Sequence, residues 1–254
     1  MDLGLKDKVV IVTGGQHGLG KAICTTLARE QAKVAVACLP SLKDKADALA
    51  AELTETYGVP CTVATCDVSS EDDVIAMYDK VEAELGPVDA LVNNAAYCPT
   101  SSTADLPVET FKLTLNVNMV GVFLCSRELV RRATGADRKA RIVNISSQAA
   151  FRGSRSGKTA YDSSKMGIIG FTISLALEMA SKGIAVNAVA PGLMYTEMIA
   201  AAVDADPDKF HKRAPIGRMG DPQEIADVAV FLASERASYM TGATVDVSGG
   251  LAMH

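Results

Sequence analysis

The sequence predicts a single α/β domain built on a doubly wound parallel sheet with helices on both faces. Three observations carry that expectation. Short apolar runs alternate with longer helix-like segments along the whole chain. The runs are rich in β-branched residues and end in Gly, Asp, Asn, Ser or Pro, as strands covered on both faces do. No low-complexity linker divides the 254 residues, and 48% apolar against 22% charged residues is enough for one sizeable core.

The elements follow in order. VVIVTG (9–14) reads as the first strand and 18–31 as the helix after it. KVAVACL (33–39) and a helix over 43–57 form the next unit. CTVATCDV (61–68) leads to a helix over 71–85, whose start carries Ser69 or Ser70 followed by acids, a capping pattern. DALVNNA (89–95) precedes a long helical pattern over 107–133, and RIVNISS (141–147) one over 159–182. IAVNAVAPG (184–192) is followed by a helix over 222–234 that opens with Pro222 after Asp221. ATVDVSGG (243–250) closes the set. Strand–helix–strand units of this length are crossovers, so the strands must run parallel.

Composition removes several function classes. A formal net charge of -5 argues against a general nucleic-acid or anionic-membrane surface. The six cysteines, at 24, 38, 61, 66, 98 and 125, form no CxxC pair, which points to a reducing compartment without disulfides. His17, His211 and His254 lie far apart, so no metal site is expected. No apolar run approaches the roughly 20 residues that cross a bilayer. The start, MDLGLKDKVVIVTGG, passes straight into a strand with no signal-peptide pattern, so the expected location is the cytoplasm.

The turn after the first strand, TGGQHGLGKAI, carries the first chemical signal. Gly14 permits a sharp turn, and Gly18 and Gly20 let backbone N–H groups approach an anion at a helix N-terminus. Between a strand and a helix, such a loop reads as a dinucleotide pyrophosphate site, and the whole chain reads as Rossmann-like. Its candidate residues are Gly14, Gln16, His17, Gly18, Leu19 and Gly20.

The second signal is Tyr161 and Lys165. Residues four apart share one helix face, so both reach one substrate and cofactor. A phenol's pKa near 10 is too high for a base at neutral pH, and a nearby ammonium is expected to lower it. Tyr161 is then the expected proton acceptor as a hydride leaves an alcohol, and the proton donor in reverse.

The TGxxxGxG spacing differs from the GxGxxG of long-chain dehydrogenases. It resembles the short-chain dehydrogenase/reductase family, and the resemblance runs the length of the chain: NNAA (93–96), NVNMVGVF (116–123), ISS (145–147), YDSSK (161–165), PGLMYTEM (191–198) and VSGG follow in family order. It implies that Asp67 and Val68 contact the adenine and that Asn94, Ala95 and Ala96 line the cofactor, with Ala96 where the family usually has Gly. It implies catalytic roles for Asn118, Ser147, Tyr161 and Lys165: Asn118 holds a water beside the lysine, Ser147 binds the reacting oxygen, and Lys165 also binds the nicotinamide ribose. Ser147 stands fourteen residues before Tyr161, one more than the family pattern, which leaves Ser146 as an alternative. Pro191, Gly192, Met194 and Thr196 are implied nicotinamide contacts, and 195–218 a lid over the substrate. The resemblance also implies a homotetramer paired through the segments at 107–133 and 159–182, which by themselves show only helices long enough to dock.

Cofactor choice rests on the end of the second strand, where an acid would select NAD and an arginine NADP. Cys38 and Leu39 stand there, followed by Pro40 and Ser41; His17 and Lys43 are the nearest cationic candidates. With no permanent cation clearly placed, the expectation leans to NAD.

The resemblance stops at an alcohol or carbonyl substrate. Arg152, Arg155 and Lys158 lie between Ser147 and Tyr161, and Lys212, Arg213 and Arg218 cluster in the expected lid beside His211. Charged loop residues are mostly solvated or paired with acids at a subunit contact; the sharper alternative is an anionic substrate, since arginine suits carboxylate, phosphate or sulfonate. The leading expectation is therefore a sugar, polyol or anionic sugar. Its alternatives are a 3-ketoacyl-carrier-protein reductase and, from another class, a non-catalytic dinucleotide-binding scaffold, which would be expected to lose the Tyr, Lys or Ser. A methyltransferase could share the sheet but would have no use for the Tyr161–Lys165 pair.

Overall fold

The computed structural model describes residues 2–195, 200–206 and 212–253. Seven strands form one parallel sheet: β1 (Val9–Thr13), β2 (Lys33–Cys38), β3 (Cys61–Thr65), β4 (Ala90–Asn93), β5 (Ala140–Ile145), β6 (Ile184–Pro191) and β7 (Thr244–Val247). Their order is β3-β2-β1-β4-β5-β6-β7. Every pairing is parallel. Chain direction across the sheet reverses between β1 and β4, and a crevice opens beyond the carboxyl ends of strands at such a switch point.

Alternate residues of each strand feed two core layers. Val10 and Val12 of β1 with Val34 and Val36 of β2 pack against α1 (Gly18–Arg29), α2 (Lys43–Tyr57) and α9 (Pro222–Ala233). On the opposite face, Ile11, Leu91 and Ile142 pack against α3 (Glu71–Leu85), α5 (Gly121–Gly135) and α7 (Thr159–Met179). The predicted helices over 43–57 and 71–85 form with those bounds, and Ser70 caps the second by accepting from the Asp73 N–H. Asp221 and Glu224 make a reciprocal capping box at the start of α9.

Three departures from expectation matter. The strands end one to three residues early, the motif residues at their ends standing outside the sheet. The helix expected over 107–133 is two helices, α4 (Val108–Leu115) and α5, joined by a π-helical turn at Asn116–Val120. By length and composition alone the joined segment, Val108–Gly135, is long and apolar enough to cross a bilayer, and half of its most apolar 18-residue stretch is buried inside the protein. One short helix, α6 (Ala149–Arg152), was not anticipated, while α8 (Ala200–Ala205) is the Ala-rich helix of the 195–218 excursion.

Candidate active site

The glycine-rich turn leaves β1 at the switch point. Gly14 has φ +63°, and a Cβ on Gly20 would lie 2.1 Å from the Gly14 carbonyl oxygen and 2.8 Å from Asn94 Nδ2. Only a bare backbone allows that approach. His17 stands at the N-cap of α1 without a side-chain cap, so the first N–H groups of the helix, from Gly18, Leu19 and Gly20, face the crevice end of the sheet. Gln16 is buried; its Nε2 lies 2.7 Å from His17 Nδ1, while its Oε1 is buried with no partner among the described residues. Uncapped helix N–H groups and a tight glycine turn fit the pyrophosphate end of a dinucleotide, whereas the orphaned amide oxygen is an acceptor and would meet a donor such as a ribose hydroxyl.

Thr13, which sequence reasoning passed over, organises this rim. Its hydroxyl accepts from the N–H groups of Asn94 and Ala95, both at 3.0 Å, and donates to the Val92 carbonyl at 3.4 Å. Asn94 Nδ2 donates to the carbonyls of Thr13 and Gly14 at 3.0 Å each. The ends of β1 and β4 are thus laced together, with Ala96 beyond them exposed. The signal was present as a polar residue closing an otherwise apolar strand. Further out, Asp67 Oδ1 accepts from both the N–H and the hydroxyl of Ser69, at 2.9 and 2.7 Å. Val68 is buried against Gly121, where a Cβ would come within 2.7 Å of it.

At the end of β2, Cys38 is buried and Leu39 exposed. Lys43 turns back along α2 to Asp47 at 2.5 Å and so does not reach towards the crevice. Among the described residues neither an acid nor an unpaired arginine marks the ribose position.

The reacting end is built from β5, α7 and the π turn. Ser146 is buried and donates to the Lys165 carbonyl at 2.7 Å, tying strand to helix, whereas the Ser147 hydroxyl contacts the hydroxyl of Tyr161. Lys165, fully enclosed, donates from Nζ to the Ile145 carbonyl at 2.7 Å, and its ammonium stands 5.5 Å from the centre of the Tyr161 ring. Burial pulls the Lys165 pKa down from 10.5 to about 8. Tyr161 moves the other way. Its pKa is raised, by burial of the hydroxyl first and by the Cys98 thiol second, with the Ser147 hydrogen bond opposing. The expectation that Lys165 would draw this phenol below its ordinary value is therefore overturned: the protein surroundings favour the neutral hydroxyl.

Asn118 is buried in the π turn, and its side chain is fully engaged. Nδ2 donates to the Tyr97 carbonyl at 3.0 Å and to Ser164 Oγ at 2.9 Å, and Oδ1 accepts from the Tyr97 N–H at 2.8 Å. Ser164 passes the connection to the Tyr161 carbonyl at 2.6 Å. Both amide hydrogens being taken, the side chain keeps no donor for the water that the resemblance places beside Lys165. A second buried chain, missed in the sequence, runs from Ser126 through Asn93 and Asn144 to Thr172 and braces β4 and β5 against α5 and α7.

Beyond β6, Pro191 and Gly192 sit against the last strand; a Cβ on Gly192 would meet Ser248 Cα at 2.6 Å. Met194 bridges to Gly220, so the excursion between them is closed at its base. Thr196 and His211 lie outside the described residues. The expected anion-binding cations disperse. Arg152 donates to the Leu251 carbonyl at 2.6 Å, Lys158 contacts the Cys98 thiol, and Arg155 and Arg213 are exposed. Arg218 is held by both oxygens of Glu224 at 2.7 Å.

Sheet order, glycine turn and the Ser147–Tyr161–Lys165 cluster define a dinucleotide-binding α/β protein with a proton-transfer centre at its switch point. Known proteins agree. A family profile described as "Enoyl-(Acyl carrier protein) reductase" matches residues 14–252. The chain is 36% identical to the 3-oxoacyl-(acyl-carrier-protein) reductase FabG of Aquifex aeolicus, over 99% of this chain and 100% of that one. It is 38% identical to the acetoacetyl-CoA reductase of Allochromatium vinosum, over 97% and 99%. A short-chain type dehydrogenase/reductase from Mycobacterium marinum has a similar structure, with a TM-score of 0.90, 30% identity, and coverage of 98% of this chain and 97% of that one. The chain belongs to the short-chain dehydrogenase/reductase family. It is an oxidoreductase of that family, whose members bind a nicotinamide cofactor.

Proposed function

We propose that the protein reduces 3-oxoacyl thioesters to 3-hydroxyacyl thioesters. The observation that carries the reading is the buried hydroxyl of Tyr161, in contact with Ser147 and beside Lys165. A phenol held protonated is a donor, suited to an oxygen gaining negative charge. The choice of thioester over sugar rests on likeness along the whole chain to proteins named as 3-oxoacyl and acetoacetyl-CoA reductases. The anionic-sugar expectation gives way to this alternative, since Arg152 is committed to a backbone carbonyl and Arg218 to Glu224.

The residues divide the work. Ser147 and Tyr161 hydrogen-bond the ketone oxygen. The nicotinamide group, when bound, supplies the hydride to the carbonyl carbon. Tyr161 gives its hydroxyl proton to the developing alkoxide, and the adjacent Lys165 ammonium stabilises the phenolate left behind. Lys165 uses one hydrogen on Ile145, which leaves two for cofactor and proton traffic. The glycine turn, with Gln16 and His17, holds the pyrophosphate end. The ribose position at Cys38 and Leu39 has no charged selector, so we place NAD first with weak discrimination.

The test follows NADH and NADPH oxidation with acetoacetyl-CoA, a carrier-bound 3-oxoacyl group, neutral sugars and sugar acids. The expected result is thioester turnover, with kcat/KM for the two cofactors within about tenfold because no ion pair separates them. Tyr161→Phe should lower kcat about 10³-fold without loss of cofactor binding. Turnover confined to sugars would overturn the reading.

A further inference from the structure

Lys158 is placed against the local rules of its own helix. It is the N-cap residue of α7, a 21-residue helix, and it makes no side-chain cap. Acceptors and anions belong at that end, where the helix dipole and unpaired N–H groups oppose a cation. The side chain is half-buried. Its contact is the Cys98 thiol, a weak acceptor, and no carboxylate among the described residues pairs with it. The nearby acid Asp162 is turned to Ser154 Oγ at 3.1 Å. Placements that break local rules concentrate where a protein does chemistry.

The backbone around Lys158 is fixed on both sides. Ser101 N–H donates to the Gly157 carbonyl at 2.9 Å, and the hydroxyls of Thr103 and Thr159 lie 2.8 Å apart. Gly157 has φ +70°, and a Cβ there would meet the Ser101 carbonyl oxygen at 2.5 Å, so the two loops can close only on glycine. The segment after β4 and the segment before α7 are therefore stapled at the residues flanking Lys158. Cys98, the residue that Lys158 touches, is also the electrostatic neighbour of Tyr161 and of Lys165. Lys158 and Tyr161 thus both lie near this one thiol. One offers an ammonium without an anion, the other a neutral hydroxyl.

We propose that Lys158 is a specificity-determining residue, whose ammonium binds the second oxygen of a 1,3-dicarbonyl substrate while Tyr161 serves the oxygen being reduced. The inference rests on the reductase reading above and deepens it. The chemistry recognised is an oxygen acceptor two carbons from the reacting carbon, either the carbonyl of a thioester or the carboxylate of a free 3-oxoacid; we assign the thioester. Lys158 serves binding only and transfers no proton.

The experiment measures kcat/KM of the enzyme with cofactor for three substrates: the N-acetylcysteamine thioester of acetoacetate, free acetoacetate, and the 4-oxopentanoyl thioester, in which the second carbonyl is one carbon further away. The variants are Lys158→Met and Lys158→Arg, with thermal unfolding as a check on folding. Loss of a charged hydrogen bond predicts that Lys158→Met loses about 30-fold on the acetoacetyl thioester and less than about threefold on the 4-oxopentanoyl thioester. Lys158→Arg should recover most of the loss, and the melting temperature should not fall. Equal losses on the two thioesters, or none, would overturn the role of Lys158. A loss confined to free acetoacetate would overturn the thioester assignment in favour of a carboxylate. Wild-type enzyme inert towards the acetoacetyl thioester but active on another carbonyl would instead sink the reductase reading.

Discussion

Lys165 shows at the scale of one residue how function opposes stability. Its ammonium is enclosed by protein, with one carbonyl as hydrogen-bond partner. Between about 8, its pKa in the fold, and 10.5, its ordinary value, the unfolded chain binds a proton that the folded chain does not. Stability therefore rises with pH across that window, and below it the buried charge costs about 3 kcal/mol. Lys165→Met should be more resistant to urea than the wild type at pH 7, with the gap closing by pH 10, and should be inactive. A gap independent of pH would show that packing, not charge, governs this site. Tyr161 carries the complementary lesson. Four-residue spacing told that the two side chains meet, but whether the phenol's pKa falls or rises depends on desolvation, which spacing does not encode.

Among the elements, α7 carries two tasks on opposite faces. Its inner face holds Tyr161, Ser164, Lys165 and Thr172 against β5 and the π turn. Its outer face exposes Met166, Ile173 and Leu177, spaced along one stripe, with Leu177 80% exposed. Val108, Leu113, Val120 and Phe123 make a similar exposed apolar row on α4, the π turn and α5. Exposed apolar rows of this extent mark association surfaces, and we propose that copies of the chain pair through them into a tetramer. The double variant Ile173→Glu/Leu177→Glu should sediment as a smaller species while keeping its circular dichroism. A sedimentation coefficient equal to that of the wild type would exclude this face. The same region shows what the helical pattern concealed. Over 107–133 the apolar periodicity continues through the π turn, so the inserted residue that buries Asn118 leaves no trace in composition.

On the scale of the whole molecule, the C-terminal segment ties together parts distant in the chain. Gly249 accepts from Ile216 N–H at 3.1 Å, Leu251 accepts from Arg152 at 2.6 Å, and Leu251 and Ala252 are buried. The tail thus joins the return leg of the 195–218 excursion to the helix beside Ser147. Truncation after Ser248 should lower stability by about 2–4 kcal/mol, from the lost burial and hydrogen bonds, and raise KM for the thioester more than it lowers kcat. A kcat loss with unchanged KM would show that the tail supports the proton-transfer centre rather than the substrate wall.

The sequence by itself determined the sheet, its parallel sense and the stations along the crevice. Those features rest on local causes: β-branched runs, capping residues, and glycines where only a bare backbone fits. It also placed Tyr161 and Lys165 on one face, since helical geometry is periodic. The tertiary structure alone decided which serine faces the tyrosine, which cations are already engaged, and which way the phenol titrates. Hydrogen-bond partnership and desolvation depend on groups far apart in the chain: Arg152 finds Leu251, Asn118 finds Tyr97, and Lys158 finds Cys98. No spacing rule along one strand or helix reaches across such separations.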